Sequence, residues 1–263
     1  MRLSPHDAFA QAHEHFEALW LARKFDDALI AARQAQSVAL SAFGAAHPNY
    51  VRSLFDVGVA MQRAGQEAEA KAYAQKANAL LDSLRIEAEH HADSIAAAEL
   101  DLFDAERLAP FHSPQETNAL FGRAAAILRG HPDAVDLLGE TLVRWAGWRL
   151  AQGELQEAER LYRAAHDTLR SATASLWDLR AVLGTAHALV EQGRHSEAAT
   201  FFQTADRHAF GNALPPQALY AFWSAYADCL EKSGQNEQAN ERRRRAEALL
   251  PKVNPANLQF RTG

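Results

Sequence analysis

β-Branched residues are scarce in this chain of 263 amino acids: valine, isoleucine and threonine together occur 21 times, whereas alanine alone occurs 56 times. Strands are built mainly from β-branched and aromatic side chains, and a parallel sheet needs near-continuous runs of them. Alanine, by contrast, has the highest intrinsic preference for the α-helix. The composition therefore excludes an all-β or doubly wound α/β fold and predicts an all-α protein.

The chain also lacks disulfides, membrane-spanning runs and a positive net charge. Cys229 is the only cysteine, so no internal disulfide can form, which favours a reducing, cytoplasmic compartment. No apolar run approaches the ~18 residues of a membrane span, and the first residues lack the apolar core of a signal peptide. The formal net charge is −6. We therefore predict no membrane association and no nucleic acid as partner.

A repeat with two alanines seven residues apart runs along the chain. Seven residues are two helical turns, so both alanines lie on one helix face, where small side chains let a second helix approach closely. Gly65, Gly153, Gly193 and Gly234 stand five residues before the first alanine of a pair, which suits a helix C-terminus because glycine adopts positive φ at little cost. The alanine pairs are Ala28 and Ala35, Ala70 and Ala77, Ala119 and Ala126, Ala158 and Ala165, Ala198 and Ala205, and Ala239 and Ala246.

Turn and cap signals between these segments predict twelve helices in six antiparallel pairs. Ser113, Pro114 and Glu116 form a helix start with a capping box, and Asp93 or Ser94 is the candidate N-cap of the fifth helix. We expect one domain over residues 1–250 and an irregular tail over 251–263. The predicted pairs are 5–22 with 25–42, 49–64 with 66–88, 94–109 with 114–129, 133–152 with 154–171, 177–192 with 194–208, and 217–233 with 236–250.

This pattern resembles the tetratricopeptide repeat (TPR), in the long variety of about 42 residues that occurs in kinesin light chains and many bacterial proteins. The family has a small residue twelve positions before the first alanine of a pair. Two segments depart from this pattern, since they have Phe16 and Arg107 at this position. The resemblance covers nearly the whole chain. It implies a right-handed α-solenoid of about six helix pairs that acts as a protein-binding scaffold. The segments that match at the small position have Gly58, Ala146, Ala186 and Ala227.

No group of residues has the spacing of a catalytic or metal site. His13 and His15 are two apart on a helix and point to different faces, and His90 and His91 lack a matching ligand set. Cys229 has no visible base or cation to activate it, and the glycine-rich phosphate and nucleophile motifs do not occur. We therefore predict a non-enzymatic protein without cofactor or metal. A metal-binding protein that uses its surface histidines is a less favoured alternative.

The first helix of each pair lines a concave groove in solenoids of this type, and this groove binds extended peptides or partner helices. The resemblance assigns this role to positions that are mostly polar and include several arginines, which suit an acidic or extended segment of a peptide or protein. The candidate groove residues are Arg52, Asp56, Val59, Arg63, Glu140, Val143, Arg144, Arg180, Leu183, His187, Ser224, Asp228 and Lys232.

Three alternatives to a simple groove-binding scaffold stay open. The first is a regulator that changes its shape when it binds a peptide or another ligand. The second is an anionic partner that binds the arginine run near the C-terminus. The favoured prediction for this run is instead a solvated end face. This run consists of Arg242, Arg243, Arg244 and Arg245. The third is a homo-oligomer formed through an apolar stripe of the first helix, with Ala8, Ala12, Phe16 and Leu19.

Overall fold

The computed structural model of the protein describes residues 5–107, 113–170, 176–207 and 216–250, and these ranges contain twelve α-helices and no β-strand. The predicted tail 251–263 lies outside the described residues. A short 3-10 helix, Pro132–Ala134, leads into the seventh helix. The α-helices are α1 Pro5–Leu21, α2 Phe25–Phe43, α3 Pro48–Arg63, α4 Glu67–His90, α5 Ile95–Arg107, α6 Pro114–Arg129, α7 Val135–Ala151, α8 Leu155–Leu169, α9 Leu176–Glu191, α10 His195–Arg207, α11 Pro216–Lys232 and α12 Asn236–Glu247.

Every predicted helix is present, with its ends close to the sequence-based bounds, and the all-α fold class is confirmed. The cap signals act as expected. The Ser113 side chain accepts a hydrogen bond from the Glu116 N–H, and the Glu116 carboxylate accepts one from the Ser113 N–H at 2.8 Å. The Ser94 hydroxyl accepts from the Ala97 N–H at 3.2 Å, so Ser94 rather than Asp93 caps α5. These contacts satisfy N–H groups that a helix start otherwise leaves unpaired.

Where the structure describes the turn within a helix pair, it contains a residue in the left-handed backbone conformation; this holds for the first, second, fourth, fifth and sixth pairs. Gly65, Gly153, Gly193 and Gly234 have φ between 73° and 78°. Arg23 takes the same place in the first pair, with φ of 57°. A side chain in this region costs about 1 kcal/mol relative to glycine. The first pair therefore has the same turn geometry, although it has Arg23 where the other turns have glycine.

The paired alanines are buried in five pairs, but the register predicted for the third pair is wrong. Ala119 and Ala126 on α6 are exposed, whereas Thr117 and Ala124 are buried, with exposed fractions of 1% and 0%. Shifting this pair by two residues places the buried Ala105 twelve positions before Thr117. Ala105 is then the small residue of the family pattern, and Arg107 is not a departure from it. Three consecutive alanines, 124–126, concealed the register in the sequence.

The protein divides into two compact units, an N-terminal unit of residues 1–141 and a C-terminal unit of residues 142–263, with the division inside α7. The single domain predicted over residues 1–250 stays a prediction. Phe16 of α1 is only 6% exposed and packs with Ala28, Val57 and Met61 in the core of the N-terminal unit. Phe16, the largest residue of the apolar stripe expected on the surface of α1, is therefore buried instead.

Two helices of the C-terminal unit, α8 and α9, make a close contact. The ring of Tyr162 on α8 lies against Gly184 on α9, where an added Cβ would overlap the ring atoms. Burial raises the pKa of Tyr162 to about 12, so its phenol is protonated at neutral pH. The core of the unit also contains Leu189, Phe202 and Tyr226. Glycine at position 184 is thus required by packing rather than by the backbone conformation.

Candidate partner-binding site

The first helices of the pairs form one face in each unit, and we refer to it as the first-helix face. In the N-terminal unit this face contains α1, α3, α5 and the start of α7. The structure buries three of the five groove residues predicted here: Arg52, Asp56 and Glu140 are no more than 8% exposed. Val59 and Arg63 are exposed. The three buried side chains face other side chains instead of solvent.

Two arginines lie on aromatic rings inside the first-helix face of the N-terminal unit. Arg52 on α3 forms an ion pair with Glu106 on α5, and its guanidinium lies 5.8 Å from the ring centroid of Phe103. Arg107 stacks on Phe55, at 3.9 Å from the ring centroid. Burial lowers the pKa of Arg107, and the nearby charge of Asp56 partly opposes this shift. The charge of Arg52 is therefore paired within the unit, and Arg107 lies on a ring instead of extending into solvent.

Three histidines of the same unit pair with carboxylates on neighbouring helices. His13 Nδ1 on α1 lies 3.1 Å from Asp56 Oδ2 on α3, and His6 Nδ1 lies 3.6 Å from Glu140 Oε2 at the start of α7. The third is His47, the residue before α3. Its Nε2 atom is 2.8 Å from Glu99 Oε1 on α5.

Burial lowers the pKa of His6 and of His13, but the nearby carboxylates, chiefly Glu140 for His6 and Asp56 for His13, outweigh it. The pKa of each imidazole is raised as a result. Sequence reasoning missed these pairs because their members are far apart along the chain.

The first-helix face of the C-terminal unit is more accessible. Here the two predicted arginines lie on one indole: the guanidinium carbons of Arg144 and Arg180 are 4.9 Å and 4.3 Å from the Trp177 ring. Both arginines are half-buried, whereas Trp177 is 2% exposed. An arginine that stacks on a ring keeps its N–H groups directed outward in the plane of the guanidinium. The indole therefore orients two positive groups on adjacent first helices.

The remaining groove residues of the C-terminal unit range from buried to exposed. Val143 is buried, Leu183 and Ser224 are half-buried, and His187, Asp228 and Lys232 are exposed. Sequence reasoning included Arg144 and Arg180 but treated Trp177 as ordinary core. A tryptophan three residues before a groove arginine on the same helix is the signal that could have identified the pair.

The arginine run of α12 is largely paired within the protein. Arg242 lies over the rings of Trp223 and Tyr226 and forms an ion pair with Asp206 at 3.3 Å. Arg243 pairs with Glu231 at 2.7 Å and with Asp228 at 3.5 Å. These contacts within the protein use much of the positive charge that the sequence left available for an anionic partner.

The structure offers little support for chemistry at the other candidate positions. Burial and the charge of Asp228 raise the pKa of Cys229 to about 11, so its thiol stays protonated at neutral pH. Within the described ranges no group of three or more histidine, cysteine or acidic residues could hold a metal ion. No helix among the described residues is both long and apolar enough to cross a bilayer. His90 and His91 are exposed, as expected.

Comparison with solved structures identifies the fold. BtubC (BKLC) from P. vanneervenii is 12% identical over 100% of this chain and 97% of that chain, with a TM-score of 0.59. A Rap protein complexed with the competence and sporulation factor is 13% identical over 93% of this chain and 75% of that chain, with a TM-score of 0.52. NprR in complex with its cognate peptide NprX is 15% identical over 96% of this chain and 69% of that chain, with a TM-score of 0.52.

No protein-family model matches the chain, and no curated protein sequence matches it significantly. Identities of 12–15% show a common fold alone. The protein therefore has an all-α helical-repeat fold of the TPR type. The resemblance noted in the alanine and glycine pattern is confirmed at this level.

Proposed function

We propose that this protein is a non-enzymatic interaction module that binds an acidic, extended segment of a peptide or protein on the first-helix face of its C-terminal unit. The observation that carries this proposal is the placement of Arg144 and Arg180 on the ring of Trp177. Two oriented guanidinium groups on neighbouring helices suit two carboxylates of an extended chain, because arginine forms directed, charge-assisted hydrogen bonds with carboxylates.

The neighbouring residues fit the same kind of partner. His187 and Lys232 are exposed on α9 and α11 and can add positive charge, while the half-buried Leu183 offers an apolar contact between them. Asp228, the acidic groove residue of α11, lies 3.5 Å from Arg243, so its charge is partly neutralised by α12. A proposal of peptide binding also agrees with the fold, since NprR, which shares it, was solved with a peptide bound.

The direct test is the binding of a fluorescent ten-residue peptide that alternates glutamate and glycine, measured by fluorescence anisotropy at low salt. Charge-assisted hydrogen bonds contribute roughly 1.5–3 kcal/mol each, so Arg144→Gln with Arg180→Gln should raise the Kd at least about tenfold. The matched control is Arg33→Gln with Arg129→Gln, which removes the same charge from exposed positions of the N-terminal unit. A similar loss of affinity in both double variants would contradict the proposal, because it would reflect net charge alone.

A peptide with glutamine in place of glutamate separates carboxylate recognition from backbone recognition. It should bind much more weakly to the unmodified protein, and its binding should not respond to the arginine substitutions. The hydrodynamic radius measured with and without the glutamate peptide tests the regulator alternative at the same time. A radius that changes on binding would favour a ligand-responsive regulator over a rigid scaffold.

A further inference from the structure

A cleft between α3 and α4 in the N-terminal unit lies outside the face to which peptide binding is assigned. Its volume is about 370 Å³, at the lower end of the range of roughly 300–1,000 Å³ for small-ligand sites. Its floor is apolar, and three exposed polar side chains stand at its rim. The floor consists of Phe55, Gly58, Val59, Ala70 and Ala74, and the rim consists of Gln62, Glu67 and Lys71.

The C-terminal unit closes the equivalent place with an aromatic ring and an ion pair. Tyr162 stands four residues after the buried Ala158, and its ring packs against Gly184 of the next helix pair. Glu159, the residue directly after Ala158, forms an ion pair with Arg194 at the turn of that pair. A ring and a carboxylate of α8 therefore fill the space between consecutive pairs.

The N-terminal unit lacks both closing groups. Counted from the buried Ala70, the position of the tyrosine has Ala74 and the position of the glutamate has Lys71. Lys71 and Glu67 lie one turn apart on α4, and both are exposed. Within the described ranges neither of them forms an ion pair or a side-chain hydrogen bond. The cleft is thus open where a ring and a carboxylate close the other unit.

We propose that this cleft binds a free aromatic amino acid. The ring of the ligand lies on the apolar floor, in the place of the missing tyrosine. Lys71 donates hydrogen bonds to the carboxylate of the ligand, and the Glu67 carboxylate accepts hydrogen bonds from its ammonium group. The proposal concerns a unit other than the one assigned to peptide binding, and it stands independently of that assignment.

The floor of the cleft suits a flat ring. Gly58 lets α3 approach α4 closely, since even an added Cβ would lie 3.4 Å from the Ala70 carbonyl oxygen. Ala70 and Ala74 present only methyl groups beside it. Phe55 stacks on Phe103 of α5, at 6.4 Å between ring centroids, and this contact fixes its ring at the cleft. An aromatic ligand can bury a large apolar area here and contact a second ring.

The two charges at the rim select a zwitterion. Residues four apart on a helix are neighbours on its surface, with Cβ atoms about 5–6 Å apart. The ammonium and the carboxylate of an α-amino acid are attached to one carbon, so Glu67 and Lys71 can each reach the group of opposite charge. An aromatic acid or an aromatic amine would leave one of the two side chains unmatched. Gln62 adds an amide that can both donate and accept a hydrogen bond.

An NMR titration of the full chain with L-phenylalanine tests the assignment. For a ligand of this size we expect a Kd on the order of 1 mM. Amide signals of residues 58–62 and 70–74 should shift in a saturable way, and those of α8 should not. L-Alanine has the same charges without the ring and should bind at least about tenfold more weakly. The absence of saturable shifts at these residues, or equal binding of L-alanine, would overturn the proposal.

Variants at exposed positions assign the two charges. Lys71→Gln and Glu67→Gln should each raise the Kd for L-phenylalanine at least about threefold. The matched control is Lys24→Gln, which removes the same charge from an exposed position of the same unit and should leave the Kd unchanged. 2-Phenylethylamine lacks the carboxylate, so its binding should not weaken in Lys71→Gln. If Lys71→Gln and Lys24→Gln changed the Kd for L-phenylalanine equally, the assigned site would be wrong.

Discussion

The two units use the same helical frame in opposite ways. On the first-helix face of the N-terminal unit, the acids of α5 and α7 meet bases of α1 and α3, as in the pairs of Arg52 with Glu106 and of His6 with Glu140. In the C-terminal unit, Arg144 and Arg180 lie on the ring of Trp177 and stay half-exposed. A repeat pattern thus fixes where helices lie, but it does not decide whether the side chains of a face become buried or stay partly exposed.

The cost of burying charge explains why the buried charged residues of the N-terminal face lie next to groups of opposite charge. A charged side chain loses its hydration when it is buried, and only a partner of opposite charge with good hydrogen bonding compensates for this loss. An exposed ion pair contributes little, because water already stabilises both groups. We therefore expect similar substitutions to have very different effects in the two units.

The largest expected effect comes from removing Glu106, which pairs with the buried Arg52. Glu106→Ala leaves the Arg52 guanidinium in the interior without this carboxylate, and we expect the free energy of unfolding to fall by about 2–3 kcal/mol. The measurement is urea-induced unfolding followed by circular dichroism.

The matched substitution in the C-terminal unit is Glu231→Ala, which removes an exposed partner of Arg243. We expect no measurable change in the free energy of unfolding, since surface pairs contribute little. If both substitutions lowered the free energy of unfolding equally, the buried and the exposed ion pair would not differ in their contribution to stability.

A smaller difference is expected between two glycines within helices. Gly184→Ala should destabilise the C-terminal unit by about 2 kcal/mol, because the new Cβ would overlap the buried ring of Tyr162. At Gly58 of α3 the nearest atom to an added Cβ is the Ala70 carbonyl oxygen at 3.4 Å, an ordinary contact. Gly58→Ala should therefore be neutral, or stabilise by up to about 1 kcal/mol through helix propensity. Thermal unfolding of both variants provides the comparison.

The smallest effect is expected at the turn of the first helix pair. Arg23 has φ of 57°, a conformation in which the equivalent turns of four other pairs have glycine. Arg23→Gly should stabilise the protein by about 0.5 kcal/mol, since relief of backbone strain exceeds the greater flexibility of glycine in the unfolded chain. Arg33→Gly, in the exposed middle of α2, should instead destabilise by about 1 kcal/mol. A melting temperature lowered by Arg23→Gly would refute the strain at this turn.

Local signals predicted much of the fold. The capping box at Ser113, the glycine turns and the alanine spacing act over one or two helical turns, so the sequence alone contains them. The register of α6 was wrong because three adjacent alanines fit the pattern equally well, and only the packing of Leu120, Phe121 and Leu128 selects the buried face. The candidate site was predicted less well: burial of Arg52, Asp56 and Glu140 depends on side chains contributed by other helix pairs.

The amino-acid sequence by itself determined the helices, the turns and the TPR-type repeat, because these depend on propensities and spacings within about forty residues along the chain. The tertiary structure decided which charged residues of the first helices pair internally and which stay accessible. His6 meets Glu140 and Arg144 meets Trp177 only once the helix pairs have stacked. Charge interactions depend on distance in space and on burial, and neither can be obtained from separation along the chain.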